Sequence, residues 1–211
     1  MKVLTLNINF KGLTPVRIKK ICELIQEHNP DIIFLQEVPN QNVSAFHLPD
    51  YPYNFGTVFT HQYDTLILSK YPCIRYDRFP LPETKMGRNL LLAQIVLSSG
   101  KLINVGTFHI DSVFCPPESE VLKMNQLRFM INILSQNLHS IPFIIAGDTN
   151  LIDNDKTTIH TLNEQDSPAT FKKNRFDRAF VSPHFLESIT EVVGGPEHSD
   201  HRALVMSINL H

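Results

Sequence analysis

Three acidic residues, Glu37, Asp148 and Asp200, each stand at the border of a short apolar run, among neutral polar residues and histidines rather than lysines. Glu37 ends Ile32-Ile33-Phe34-Leu35-Gln36-Glu37. Asp148 sits in Gly147-Asp148-Thr149-Asn150, and Asp200 in Glu197-His198-Ser199-Asp200-His201. Asn7 ends Val3-Leu4-Thr5-Leu6-Asn7, and His109 ends Val105-Gly106-Thr107-Phe108-His109. Carboxylates gathered at one place repel and resist ionisation unless a cation sits among them. Oxygen donors from Asp, Glu and Asn, without cysteine or a histidine pair at helical spacing, suit a hard cation, Mg²⁺ or Mn²⁺, rather than zinc. His109 and His201 are then left to bond a phosphoryl oxygen or to move a proton. The chemistry indicated is metal-assisted hydrolysis of a phosphodiester or phosphate.

Taken singly, each signal has an ordinary structural explanation. A glutamate after a strand is often only a strand end, and Gly-Asp-x-Asn makes a good turn because Asp and Asn tolerate left-handed backbone. A lone histidine is more often structural than catalytic. Their joint occurrence is what carries the reading.

To act together these residues must be delivered by neighbouring elements. Residues 3–6 read as a strand, Thr14-Pro15 as an N-cap with proline at the first helical position, and 16–28 as a helix with Ile18, Ile21, Cys22 and Ile25 on one face. Residues 32–35 are a second strand, completing a β-α-β unit with parallel strands. Residues 39–52 read as loop. Strands at 53–59, 65–69, 90–97 and 102–108 follow without helices and are expected to be antiparallel, the last two joined by the turn Ser98-Ser99-Gly100-Lys101. Residues 117–139 read as a helix with Val121, Leu122, Met124, Leu127, Met130, Ile131 and Leu134 on its apolar face. Strands at 143–146, 176–181, 188–193 and 202–208 complete the chain. There is no internal repeat, low-complexity tract or linker. The mixture predicts one α+β domain over residues 1–211, a two-sheet sandwich with helices packed outside. Ligand crevices border the carboxyl ends of parallel strands, so the polar residues ending these runs are expected to meet in one cleft.

A chain of 211 residues is long enough to build its own core without disulfides. Nineteen Lys+Arg against 21 Asp+Glu give a formal charge of −2, which removes the broad electrostatic case for non-specific binding to nucleic acid or anionic membrane. Setting aside the three cleft acids turns that figure into +1. A reader of one nucleic-acid end or one small phosphoester fits this balance better than a processive nuclease. Cys22, Cys73 and Cys115 are odd in number, widely spaced and expected to be reduced. The N-terminal segment shows no cleavage site, and no apolar stretch approaches the ~18 residues needed to span a bilayer. An intracellular monomer without membrane attachment is the expectation.

The order Asn7, Glu37, His109, Asp148-x-Asn150, Asp177, Asp200-His201 resembles the endonuclease/exonuclease/phosphatase superfamily over essentially the whole chain. Leu4-Thr5-Leu6-Asn7-Ile8-Asn9, Leu35-Gln36-Glu37-Val38, Gly147-Asp148-Thr149-Asn150-Leu151 and Ser199-Asp200-His201 look like the signatures of its tyrosyl-DNA phosphodiesterase branch. His109-Ile110-Asp111-Ser112, Met124-Asn125-Gln126-Leu127 and Arg175-Phe176-Asp177-Arg178 are similar to that branch too. The resemblance implies a four-layer α/β/β/α sandwich of the deoxyribonuclease I type. It also implies Mg²⁺-dependent hydrolysis of a 5′-phosphotyrosyl bond at a nucleic-acid end, leaving a 5′-phosphate. It would make Glu37 a direct metal ligand, with Asn7, Asn9 and Asp200 near the ion or its waters. Asp148 and Asn150 would orient the attacking water. His201, held by Asp177, would stabilise the developing charge or transfer a proton, and His109 and Ser112 would bond non-bridging phosphate oxygens.

The chain departs from the branch pattern in several places. It has Leu6 for Trp, Asn9 for Asp, Asp111 for Glu and Ile152 for Arg. It is also shorter between Ala169-Thr170-Phe171 and Arg175, with Phe171 where Trp would flank the nucleotide. Arg88 is a candidate phosphate contact, weighed against an ordinary exposed arginine. Arg178 is expected to pair with an acid, and Tyr51, Tyr53 and Phe55 to pack in loops. His28, His47, His61, His139, His160, His184 and His211 match no motif. Two rivals stand beside this reading: a same-fold nuclease or phosphatase acting on inositol phosphates or another small phosphodiester, and a catalytically silent binding module.

Overall fold

The computed structural model describes residues 1–56, 61–112, 118–136, 141–152 and 163–210. Strand β1 (Lys2–Asn7), helix α1 (Pro15–His28) and strand β2 (Ile32–Pro39) form the expected parallel unit, Val3 opposite Ile32 and Asn7 opposite Gln36. Thr14 caps α1 by accepting the Arg17 N–H at 3.2 Å, and Asn29, at φ 45°, closes it in the left-handed conformation. Strands β3 (Tyr53–Phe55) and β4 (Tyr63–Ser69) extend the same sheet. Strands β5 (Cys73–Pro80), β6 (Asn89–Val96) and β7 (Leu102–His109) begin a second one. Helix α2 (Glu118–Ser135) crosses to β8 (Phe143–Asp148), which runs parallel to β7. Strands β9 (Asn163–Glu164), β10 (Asp177–Val181), β11 (Phe185–Val193) and β12 (Ala203–Leu210) complete two six-stranded sheets among the described residues, ordered β11-β12-β1-β2-β4-β3 and β5-β6-β7-β8-β10-β9.

Strand alternation sorts the side chains into layers. Val3, Ile32, Phe34 and Ile67 of the first sheet meet Leu91, Val105, Ile144 and Ala146 of the second. The intervening residues Leu4, Leu6, Ile33 and Leu35 face outward and pack on Ile18, Ile21, Leu24 and Ile25 of α1. On the far side Leu127, Met130 and Leu134 of α2 pack on Phe108, Phe143, Ile145 and Phe180. The four layers α/β/β/α follow.

The structure differs from the sequence expectations at several points. Strand β5 was not predicted: it lies at a sheet edge with Ile74, Arg75, Tyr76 and Asp77 exposed, so it carries no continuous apolar run. The two-residue β9 is too short for any period to show. Residues 39–52 are not all loop, because Asn40–Phe46 form a 3₁₀ segment that buries Phe46. The middle strands pair antiparallel with one another, but β7 is also parallel to β8, and β3 and β4 belong to one sheet and β5 to β7 to the other. The inward face of α2 is partly polar: Val121 is 61% exposed, whereas Ser119, Lys123 and Gln126 are buried. Apolar spacing misplaced that face because the first half of the helix packs over polar backbone behind the cleft. Residues 57–59 of the expected third strand, residues 117 and 137–139 of the expected second helix, and Cys115, His160 and His211 lie outside the described residues. Cys22 and Cys73 are free. Among the described residues no helix is long and apolar enough to cross a membrane.

One glycine is demanded by contact. A Cβ at Gly147 would lie 2.1 Å from the carbonyl oxygen of Phe108 on the neighbouring parallel strand. Backbone cannot yield as a side-chain tip can, so Gly147→Ala should lower stability by about 2 kcal/mol or more. Urea unfolding monitored by circular dichroism measures this, and a midpoint equal to that of the parent protein would contradict the packing described.

Candidate active site

The layer between the sheets changes character towards the carboxyl ends of β1, β7 and β8. Along β1 it reads Val3, Thr5, Asn7; along β7, Ile103, Val105, Thr107, His109; along β8, Ile144, Ala146, Asp148. Gln36 joins the two sheets there, its amide donating to Thr5 Oγ1 at 3.0 Å and to Thr107 Oγ1 at 2.8 Å. Past this polar band the sandwich opens into a cleft of about 300 Å³. Asn7, Asn9, Glu37, His109, Ser112, Asp148, Asn150, Phe171, Asp200 and His201 all line it. These are ten of the twelve residues singled out from the sequence.

Register explains the convergence. His109 and Asp177 both pair with Asp148, from β7 on one side and β10 on the other. Asn7 faces them from the first sheet, its Nδ2 donating to Asp148 Oδ2 at 2.9 Å. The other oxygen, Asp148 Oδ1, accepts the Asn150 N–H at 2.8 Å, an arrangement that holds Asn150 at φ 49°. Asn150 also donates its side-chain amide to Ile110 O, while its own carbonyl accepts from the buried Lys123 of α2 at 2.8 Å. Glu37 does not end β2: it sits within the strand at φ 61°, where the register with β4 shifts between Leu35 and Val38. That bulge turns its carboxylate to the cleft, and Oε2 accepts the Phe10 N–H at 3.2 Å.

The histidines sit in contrasting environments. His201 Nδ1 lies 2.8 Å from Asp177 Oδ2, and its Nε2 lies 3.8 Å from Asp148 Oδ2. Burial alone would depress its pKa, but Asp177, with Asp148 and Asp200, overrides that and raises it to about 10. His109 is pushed well below its ordinary value by burial, with the Arg88 and His201 charges adding to the effect. Its Nε2 lies 3.4 Å from Asp148 Oδ2 and 3.9 Å from Glu37 Oε1. Burial raises the Asp148 carboxyl above the usual carboxylate range, opposed chiefly by His201. The cleft thus holds one charged and one neutral imidazole on either side of a single carboxylate.

Among the described residues, two groups of side chains are candidates for holding a metal. Asp148, Asp177 and His201 each offer an atom within 4.8 Å of the others. His201 Nδ1 already bonds Asp177 Oδ2 at 2.8 Å, so this trio is better described as a hydrogen-bonded imidazole–carboxylate pair beside a second carboxylate. Glu37, Asp200 and Asn9 are different. They supply oxygen donors to the open cleft from three separate segments, Asp200 is solvent-exposed, and neither described cysteine lines the site. This donor chemistry fits Mg²⁺ or Mn²⁺.

Arg88 and Asp177 do not line the cleft. Asp177 is fully buried behind His201. Arg88 is 5% exposed, not the surface arginine weighed from the sequence. Its guanidinium lies over the Tyr63 ring at 5.2 Å, and its Nε lies 4.0 Å from Asp111, in the wall behind Met86. Arg178 pairs with Glu164 at 3.4 Å as expected. Tyr51 packs in the α1-side core with its hydroxyl on Pro30 O, and Phe55 packs between the sheets, whereas Tyr53 stays exposed. Sequence reasoning missed Phe10 and Tyr63, whose rings stack at 4.0 Å on one wall, and Phe176, which stacks on Phe171 at 5.1 Å on the other. Nothing in their local sequence marked Phe10 or Tyr63. Lys123 left a faint signal, as a charged residue beside Met124-Asn125-Gln126-Leu127.

A model of the Endonuclease/Exonuclease/phosphatase family matches residues 4–201. The chain is similar to tyrosyl-DNA phosphodiesterase 2 of Rattus norvegicus, 30% identical over 93% of this chain and 63% of the relative. Its likeness to the Homo sapiens protein of the same name is 31% identity over 67% of this chain and 39% of the relative. The chain therefore spans less than two thirds of the length of these relatives. A crystal structure of D. rerio TDP2 complexed with single strand DNA product superposes with a TM-score of 0.84 at 21% identity, covering 99% of this chain and 98% of that one. At that identity it shows the fold.

The raised pKa of His201 has a consequence for stability. The group contributes fully below the unfolded value near 6.5 and loses its contribution as pH rises towards about 10. Asp177→Asn should therefore destabilise the protein by about 3 kcal/mol near pH 6, with a deficit that shrinks as pH rises. Urea titrations at pH 6, 8 and about 10 check this. A deficit that is constant with pH would refute the ion pair.

Proposed function

The chain belongs to the endonuclease/exonuclease/phosphatase family, and on that premise we propose that residues 1–211 form one catalytic domain, a divalent-metal-dependent phosphodiesterase. Its substrate in this reading is a 5′-phosphotyrosyl linkage at a nucleic-acid end, hydrolysed to a 5′-phosphate. The observation that carries the reading is the environment of Asp148, whose carboxylate is pinned by Asn7 and Asn150, flanked by His109 and His201, and open to the cleft that Glu37 and Asp200 also line. The likeness to tyrosyl-DNA phosphodiesterase 2 supports the choice of substrate. A silent binding module has no physical need for three acids in one cleft.

Glu37, Asp200 and Asn9 would hold the ion, which when bound supplies positive charge against the phosphate oxygens. Asp148 and Asn150 orient the attacking water, and Asp148 Oδ2 accepts its proton. The charged His201 donates Nε2–H to a phosphoryl oxygen, aimed by Asp177, and stabilises the charge that develops there. His109 and Ser112 bond the remaining non-bridging oxygens. A phenolate is a good leaving group, so positioning suffices without a strong general acid. Phe171 offers a stacking face for the adjoining base, with Lys172 Nζ 5.2 Å over its ring.

One observation favours a smaller substrate. Residues 171–174 form a tight turn, with paired hydrogen bonds between Phe171 and Asn174, rather than a long wall. A small phosphodiester is accordingly the second reading.

Assay of the purified protein with Mg²⁺ or with EDTA, on a 5′-tyrosyl oligonucleotide, a plain duplex, an abasic duplex and inositol phosphates, decides between them. The expected result is Mg²⁺-dependent release of tyrosine. Turnover of inositol phosphates alone would remove the nucleic-acid assignment, and no turnover of any substrate would favour the silent module. Asp148→Asn and Glu37→Ala should each reduce the rate by at least about 100-fold. Near-normal activity in Asp148→Asn would place the chemistry elsewhere.

A further inference from the structure

The loop that leaves β1 and the loop that enters β12 both carry candidate metal donors, Asn9 on one and Asp200 on the other. The two strands are antiparallel neighbours, but their paired register ends at Thr5 opposite Leu204, before either loop begins. Beyond that point side chains hold the loops together. Ser199 Oγ donates to Asn7 O at 2.6 Å. Arg17, in the first turn of α1, reaches back past the helix start, where Nε donates to His198 O at 2.6 Å and Nη2 to Ile8 O at 3.0 Å. Ile8 lies between Asn7 and Asn9, and His198 lies two residues before Asp200. One planar guanidinium therefore bonds the backbone of both donor loops, and its rigid fork sets the distance between them in a way a lysine ammonium does not. Arg17 does not line the cleft.

We propose that Arg17 is a positioning residue for the cation site, acting through the Ile8 and His198 carbonyls to set the spacing of Asn9 and Asp200. The inference rests on the reading of Glu37, Asp200 and Asn9 as ligands of a hard cation. Groups that orient ligands from behind tune metal sites, and their loss costs about 10-fold or more in metal affinity or activity.

The test is direct titration of the full chain with Mn²⁺, followed by electron paramagnetic resonance of the free ion, for the parent protein, Arg17→Met and Arg17→Lys. The expected result is a dissociation constant about 10-fold higher in Arg17→Met, and a change in the same direction in Arg17→Lys, which keeps the charge and carries the test if the methionine variant does not fold. In the hydrolysis assay, saturating Mn²⁺ should restore the kcat of the variants to near that of the parent. Unchanged Mn²⁺ affinity in folded variants overturns the proposal, as does a kcat that stays low at saturating Mn²⁺. Absence of Mn²⁺ binding in the parent protein overturns the cation site itself, which separates the two failures.

Discussion

Asp148 is 1% exposed, and burying an unpaired carboxylate costs several kcal/mol, so donors have to be brought to it from both sheets. Asn7 arrives from β1, the Asn150 N–H from the turn that follows β8, and the charged His201 from the loop before β12. Each of these has its own support: Asp177 behind His201, Lys123 behind Asn150, Ser199 and Arg17 behind the loops of the first sheet. Much of the polar structure between and around the sheets can be traced back to holding that single oxygen pair in place. A low-dielectric pocket strengthens each of these bonds and makes each missing partner costly, so the arrangement is rigid for the same reason that it is expensive to build.

The gradient in the inter-sheet layer is what reconciles a stable core with a reactive cleft. Aliphatic residues fill the middle of the sandwich, Thr5, Gln36 and Thr107 form a hydrogen-bonded band, and the ionisable residues come last. The band separates apolar packing from charge without leaving the hydroxyls unpaired. Gly147, pressed against the Phe108 carbonyl, shows how closely β7 and β8 approach where His109 and Asp148 leave them.

Much of this was legible beforehand. The capped, amphipathic α1 and the apolar runs of β1, β2 and β8 were visible because burial on both faces leaves a continuous apolar signal. The polar residues ending those runs stood out against it, and ten of the twelve candidates do line one cleft. Strand β5 was hidden because an edge strand with exposed side chains has no such signal. The buried face of α2 was misjudged because Lys123 and Gln126 satisfy hydrogen bonds there that apolar periodicity cannot reveal. Arg88 was weighed as a surface residue because nothing local announces Tyr63, Asp111 and Met86 closing around it.

The sequence by itself determined the inventory: the apolar runs of the buried strands, which residue types stand at their ends, and that an oxygen-rich, thiol-free set suits a hard cation. Local order suffices for that, since periodicity, caps and turn residues act over a few positions. Only the tertiary structure decided the electrostatics. Whether a histidine is charged depends on what lies within a few ångströms of it, and His109 and His201 receive opposite shifts from neighbours distant in the chain, His201 among them for His109 and Asp177 and Asp148 for His201. The bulge that turns Glu37 to the cleft likewise arises from pairing with β4, not from Glu37 or its immediate neighbours.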